Sequence, residues 1–334
     1  MDNVLQFEGV SIEYKMKDVS IRAVDKVTLP VVRGKITAIV GESGSGKTTL
    51  VSGILRNISS PGEMVEGDIL FRGKDAPEVS VGSLDKRALA AYRWSSVSMV
   101  FQASQSTLNP LMKIGEQFYE TAYYHGVRQP YKEYRSHIAQ LLESVRLDAP
   151  RVMDCYPHEL SGGMKQRVMI AFALLLEPEV IILDEPTTAL DVITQYYIFR
   201  ILSEINREKG ITMILLTHDI GVVAKFADYV AVMYAGRLME YGTVYEVFDD
   251  RLHPYTDGLI RATPSLFADL SKMEAIGGEV PDLLALPEGC VFAPRCKACM
   301  EICKRERPQM HAAEEEHFVC CHRFAEGTDA AGTR

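Results

Sequence analysis

What this sequence lacks narrows its class before any motif is read. No apolar run can span a bilayer: the longest, residues 168–176, is closed by Arg167 and Glu177, whereas a spanning helix needs about 20 apolar residues. There is no basic excess either. Lys and Arg number 36 against 45 Asp and Glu, a net charge of −9, and binding along a phosphate backbone needs a basic face. Nucleic acid is therefore not an expected partner. The chain has no internal repeat and no low-complexity block. Its opening, MDNVLQFEGV, has no basic stretch running into an apolar one, so a signal peptide is not expected and a cytosolic location is. Cysteine is almost missing before position 290: of seven, only Cys155 lies there. A reducing compartment disfavours disulfides, so the six later cysteines suggest metal first.

What is present is ordinary globular material. The 334 residues are 47% hydrophobic and 24% charged, enough for a sizeable core and for two domains or one domain with an extension. Apolar and polar residues alternate over 1–34, which reads as antiparallel strands. A short apolar strand over 35–40 runs into Gly41, and a helix pattern begins at Lys47. Glycine and proline breaks over 60–75 suggest a small strand pair, and 103–178 reads as mainly helical. Further strands are expected over 180–183 and 213–216, a helix over 194–208, and a hairpin over 229–241. Strands alternating with helices imply a mostly parallel α/β sheet. After position 253 prolines multiply; residues 253–326 read as a cysteine-rich extension of a 1–252 domain, and 327–334 as a disordered tail.

Gly41-Glu42-Ser43-Gly44-Ser45-Gly46-Lys47-Thr48 matches the phosphate-loop pattern in full, with a strand before it and a helix after. The glycines let backbone N–H groups turn inward around phosphate oxygens, and the helix start presents unpaired N–H groups to the anion. Lys47 is expected to reach the β- and γ-phosphates, Thr48 to hold Mg²⁺, and Thr49 to touch the α-phosphate. The apolar strand over 180–183 then delivers Asp184 and Glu185 at its C-terminal edge, where open α/β sheets bind ligands. Asp184 would orient Mg²⁺ through water, and Glu185 would polarise the attacking water.

With Leu160-Ser161-Gly162-Gly163-Met164-Lys165-Gln166-Arg167 upstream of that acidic pair, the sequence resembles the nucleotide-binding subunits of ATP-binding-cassette (ABC) transporters. The resemblance implies that Ser161, Gly162 and Gly163 face the γ-phosphate bound by the other subunit of a head-to-tail dimer. It implies that Gln102 senses Mg²⁺ and the γ-phosphate, that His218 contacts that phosphate, and that Asp191, in Ala189-Leu190-Asp191, crosses the dimer interface. It makes Tyr14 the aromatic on which adenine stacks. The segments 106–110, 185–192 and 253–256 narrow the likeness to the D paralogue of the oligopeptide/dipeptide permease branch. Related ATPases serve oligosaccharide or nickel import, so cargo stays open at this stage. The implied partners are an F-type ATPase paralogue, or a second copy in isolation, and two transmembrane permease subunits fed by an extracytoplasmic binding protein. The implied location is the cytoplasmic face of the membrane. A soluble ABC ATPase acting on DNA or ribosomes is the rival, but Lys47 and Ser161 are only 114 positions apart, too few for its long coiled coil, and no second phosphate loop exists.

The resemblance also reaches the cysteines. Spacing alone would choose Cys296 and Cys299 as the tightest pair, whereas the family tail implies Cys290, Cys296, Cys303 and Cys321 around a [4Fe–4S] cluster, with Cys299 and Cys320 spare. Four thiolates suit that cluster, and Zn²⁺ is the fallback. With few apolar residues, the tail is expected to need such a staple, and its loss is expected to leave nucleotide binding largely intact.

Overall fold

The structure, a computed structural model, describes residues 2–17, 19–102, 104–188, 190–262 and 276–325. Ala189 and the tail 327–334, both part of the sequence reading, lie outside the described residues. The N-terminal alternation becomes β1 (Asn3–Lys15) and β2 (Ser20–Val32), an antiparallel pair. β3 (Ile36–Val40) is buried throughout and leads through the glycine loop into α1 (Lys47–Ile54). The strand pair expected over 60–75 is instead one strand, β4 (Gly62–Arg72), which pairs with β1. Its glycines do not break it, because β1 supplies the ladder and bulges at Ser11 absorb the irregularity. The short β5 (Glu78–Ser80) completes the sheet order β2-β1-β4-β5.

The second sheet carries the chemistry. After α2 (Lys86–Ser95) come β6 (Val97–Val100) and the helical segment: α3 (Ile114–Tyr124), α4 (Tyr131–Ser144), α5 (Ala149–Asp154) and α6 (Gly162–Ala173). Then follow β7 (Val180–Asp184), α7 (Val192–Lys209), β8 (Thr212–Leu216), α8 (Ile220–Phe226), β9 (Tyr229–Tyr234), β10 (Arg237–Thr243), α9 (Val244–Asp249) and α10 (Pro254–Arg261). α7 is two residues longer at its start than the pattern suggested, since Asp191 caps it by accepting from Thr194 N; Gly210, at φ 65°, ends it. The extension adds α11 (Glu301–Arg305), β11 (His311–Ala312) and β12 (Phe318–Val319). The sheet order is β11-β12-β10-β9-β3-β8-β7-β6, with β9, β3, β8, β7 and β6 parallel. The C-terminal ends of β3, β7 and β8 therefore open onto one edge.

Three apolar cores hold these layers. One unites α3–α6 and α7 with Ile181, Leu183, Met213 and Leu215 of the sheet. Another lies between the two sheets, around α1. The third joins Ala38, Val40, Val230, Val232 and Tyr234 to Tyr255 and to Cys290, Val291, Phe292 and Cys303 of the extension. Phe292 sets its ring 5.3 Å from both Tyr234 and Tyr255. Burying Val291 and Phe292 contributes about 1.5–3 kcal/mol each, and β12 pairs directly with β10 at Glu240 and Tyr241. The extension thus borrows its core and its ladder from the sheet. Among the described residues, no helix is long and apolar enough to cross a membrane.

Candidate active site

The loop between β3 and α1 closes because glycine permits two approaches. Gly41 and Gly46 have φ of 148° and 95°, and a Cβ at Gly46 would come within 2.4 Å of the Ala23 carbonyl oxygen on β2. Only glycine lets the loop lie this close. The loop then folds around its own lysine. Lys47 Nζ donates to Gly41 O at 2.8 Å, Glu42 O at 3.0 Å and Ser45 Oγ at 3.2 Å. Burial lowers the Lys47 pKa, and the charges of Glu185, Asp184 and Glu42 oppose that shift.

The acids arrive from β7. Asp184 is buried, and Thr48 Oγ1 lies 3.2 Å from its Oδ2 and 3.3 Å from its Oδ1. Burial raises the Asp184 carboxyl, the Thr48 hydroxyl counters it, and the Glu185 charge adds to the rise. A hydroxyl and a carboxylate are hard oxygen donors, the set that suits Mg²⁺. Glu185 sits at φ 45°, a strained conformation for a residue with a Cβ. Its N–H bonds Leu216 O at 3.0 Å, and its carboxylate takes Gln102 Nε2 at 3.0 Å, Thr188 Oγ1 at 3.0 Å and His218 Nδ1 at 3.1 Å. Lys47, Thr48, Asp184, Glu185, Gln102 and His218, spread over 171 positions of sequence, thus form one group at one sheet edge.

The remaining sequence candidates make other contacts. Ser161 is exposed and caps α6, accepting from Met164 N at 3.4 Å. A Cβ on Gly163 would meet the Thr194 methyl at 2.9 Å, and Gly162 faces Leu190. The signature turn is therefore packed against the α7 start that Asp191 caps. Gln105 Nε2 bonds Gln166 Oε1 at 3.1 Å, tying α6 to the segment after Gln102. Tyr14 is half-buried in β1 and fits its ring over Gly62, where a Cβ would come within 2.8 Å of ring carbon Cε1. On the loop itself, Ser43 and Gly44 are exposed and Thr49 is half-buried.

These observations meet the comparisons with known proteins. Residues 24–188 match the family model described as "ABC transporter", and residues 239–303 match "Oligopeptide/dipeptide transporter, C-terminal region". The dipeptide transport ATP-binding protein DppD of Caldanaerobacter subterraneus subsp. tengcongensis is 43% identical over 98% of this chain and 99% of its own. The chain belongs to the ATP-binding subunits of the ABC peptide transporter family. Another relative of this family member, the oligopeptide transport ATP-binding protein OppD of Haemophilus influenzae, is 42% identical over 91% of this chain and 92% of its own. Among solved structures, the dimeric bacterial ABC transporter cassette MJ0796 superimposes with a TM-score of 0.63 at 30% identity, covering 72% of this chain and 98% of its own. CbiO1 of Clostridium perfringens gives 0.63 at 31%, covering 75% and 93%.

The cysteines of the extension lie in or against the third core, Cys290 and Cys303 within it and Cys296 and Cys299 packed on it. Among the described residues, no three His, Cys, Asp or Glu side chains converge to hold a metal ion, so the Zn²⁺ fallback and a metal-stapled extension gain no support from a ready-made ion site. The third core and the pairing of β12 with β10 hold the extension to the sheet. Cys290, Cys303, Cys320 and Cys321 are buried, and Cys296 and Cys299 half-buried. Burial, with smaller contributions from Cys303, Cys320 and Cys321, pushes the Cys290 thiol up to about 12. Burial also raises Cys296, with Cys321, Cys299 and Cys303 adding to it.

Sequence reasoning missed a set of residues from the extension. Arg295, next to Cys296, bonds Glu42 of the phosphate loop through both ends of its guanidinium, at 2.7 and 3.0 Å. Tyr255 OH accepts from Glu42 N at 3.0 Å. These contacts join the extension to the phosphate loop. Tyr255, in His253-Pro254-Tyr255-Thr256, and Arg295, in the tail pattern with Phe292, Pro294 and Cys296, both match the family, but neither match points to Glu42.

Proposed function

We propose that this chain hydrolyses ATP to power import of dipeptides and oligopeptides, with 1–252 as the nucleotide-binding part and 253–326 as the extension. The observation that carries the reading is the fixed Glu185 carboxylate, bonded to Gln102 and His218 beside the Lys47 loop. Gly41, Ser43, Gly44, Ser45 and Gly46 cradle the phosphates, Lys47 binds the β- and γ-phosphates, Thr49 the α-phosphate, and Tyr14 stacks on adenine. Thr48, Asp184 and Gln102 would hold Mg²⁺, which when bound neutralises charge on the phosphates. Glu185 orients a water and takes its proton as the oxygen attacks the γ-phosphorus. Lys47 and His218 stabilise the charge on the phosphoryl oxygens as the bond to ADP breaks.

Ser161, Gly162, Gly163 and Asp191 complete the site of a second subunit. Support comes from the exposed Ser161 turn and its rigid packing on α7. The partner is an F-type paralogue, or a second copy in isolation, on the cytoplasmic face of two permease subunits served by a binding protein. Cys290 and Cys303 share the third core with Cys296 packed against it, and Cys290 N bonds Cys303 O at 2.8 Å; this gathering supports a [4Fe–4S] cluster held by Cys290, Cys296, Cys303 and Cys321, since a cube of iron and sulfur holds its cysteines farther apart than one ion does. Anaerobically purified protein should then carry about four irons per chain, and iron-free protein with an ordered tail would remove the cluster. The function is tested with the complex in vesicles. Labelled dipeptide uptake should require ATP and vanish with Lys47→Ala, and peptide uptake unaffected by that change would contradict the reading.

A further inference from the structure

Three groups of Glu42 are held from three directions. Its N–H bonds Tyr255 OH, its carbonyl takes Lys47 Nζ, and its carboxylate takes the Arg295 fork. The Arg295 side chain is 5% exposed and that of Glu42 23%, so this pair is largely shielded from water. The guanidinium spends its other donors on Gly277 O at 2.9 Å, Ile276 O at 3.2 Å and Tyr234 OH at 3.2 Å, and it lies over the Tyr234 ring at 5.7 Å. A planar fork with five donors fills this position, whereas a lysine ammonium cannot. The same extension reaches the floor of the loop a second time. Arg307 Nη1 bonds Asp25 Oδ2 at 3.1 Å, two residues from the Ala23 carbonyl that Gly46 lies against.

Charge makes the pair more than a brace. Glu42 places a carboxylate at the second position of a loop built to receive polyphosphate, and its charge is felt at Lys47. Left unpaired, that carboxylate would repel the γ-phosphate and compete for the lysine. We infer that Arg295 is a positioning residue for ATP binding: it neutralises Glu42 and holds the loop open to phosphate, so that the cysteine-bearing extension sets nucleotide affinity. This rests on the assignment of Gly41–Thr48 as the phosphate loop. It does not depend on what the cysteines hold.

The test is a double-mutant cycle on the full chain, read as MgATP affinity in equilibrium titration. Arg295→Met should weaken binding by about tenfold, since removing one partner of a shielded pair leaves the other charge uncompensated. Glu42→Gln alone should change it by less than about threefold, and Arg295→Met with Glu42→Gln should recover most of the loss. A purely structural role for Arg295 would give no such recovery. Affinity within twofold of wild type in Arg295→Met, or a double variant no better than the single, would overturn the inference. Should Arg295→Met not fold, Arg295→Lys keeps the charge and loses the fork. Its amides at 42–46 should exchange hydrogen faster while those of β12 stay protected, and unchanged loop exchange would equally overturn it. Lys47→Ala separates the two assignments: if it binds MgATP normally, the loop assignment fails, and if it loses binding while Arg295→Met does not, only the role of Arg295 fails.

Discussion

Gly46→Ala against Gly44→Ala isolates the steric part of the phosphate-loop argument. Both glycines have positive φ, 95° and 77°. An alanine at either must tolerate a left-handed conformation, at about 1–2 kcal/mol, or relax out of it and be forced back when phosphate binds. That alone weakens binding by about five- to thirtyfold. The surroundings then differ. A Cβ at Gly44 meets nothing within 4 Å, whereas at Gly46 it would lie 2.4 Å from Ala23 O with Gly236 Cα at 3.4 Å. Relief requires the loop or β2 to move by roughly 1 Å. Both are backbone, and the Ala23 strand is tied down by the bond from Asp25 N to Gly236 O at 2.8 Å. A displacement of that size at a site of this kind can lose about a hundredfold in rate. Titration of isolated protein with MgATP should therefore show Gly46→Ala at least about tenfold weaker than Gly44→Ala, with unfolding temperature recorded for both. Equal affinities in the two variants, or a greater loss in Gly44→Ala, would refute the close-approach argument.

Ser161→Arg should leave MgATP binding to the isolated chain unchanged within about twofold, because Ser161 caps α6 away from the Lys47 group, yet reduce hydrolysis by the assembled complex at least about tenfold; poor binding by the isolated chain would place Ser161 in its own site. His253 supplies a pH dependence of stability. Burial lowers it from 6.5 to about 4, opposed by Glu240, and its neutral Nδ1 accepts from Tyr255 N at 3.0 Å. Between about pH 6.5 and 4 the unfolded chain takes up a proton that the folded one refuses, so the full contribution is present above 6.5 and about 3 kcal/mol is lost as pH falls through 4. His253→Asn should flatten the fall in unfolding temperature over that window, and an unchanged slope would remove His253 as its source.

The parts of this site legible in sequence are those whose chemistry is local. Gly41 to Thr48 announces itself because loop, strand and helix are contiguous, and Asp184 and Glu185 follow an unbroken apolar strand. Ser161 could be read both as a cap and as a motif residue. What stayed hidden depends on distant partners. Arg295 and Glu42 are 253 positions apart, and nothing in the composition around Arg295 says which acid it meets. β12 is two residues long, too short to show a period, so its addition to β10 left no trace in the pattern. In sequence β4 reads as a strand pair, because Gly67 counts as a break until β1 is there to pair with the strand. The left-handed backbone at Glu185 had no signal at all: a glutamate is not a residue that advertises positive φ, and Leu216 O holds it there from another strand.

The central claim is that Glu185 takes the proton of the water that cleaves ATP, in a site that is otherwise complete without it. Glutamine keeps the shape and can still meet Gln102, Thr188 and His218, while losing the ability to accept that proton. Phosphate release by the purified transport complex is the direct measurement. Glu185→Gln should lower turnover by about a hundredfold or more, the scale of losing a general base, while MgATP affinity stays within about threefold and ATP remains trapped. Turnover close to wild type with Glu185→Gln would contradict the account.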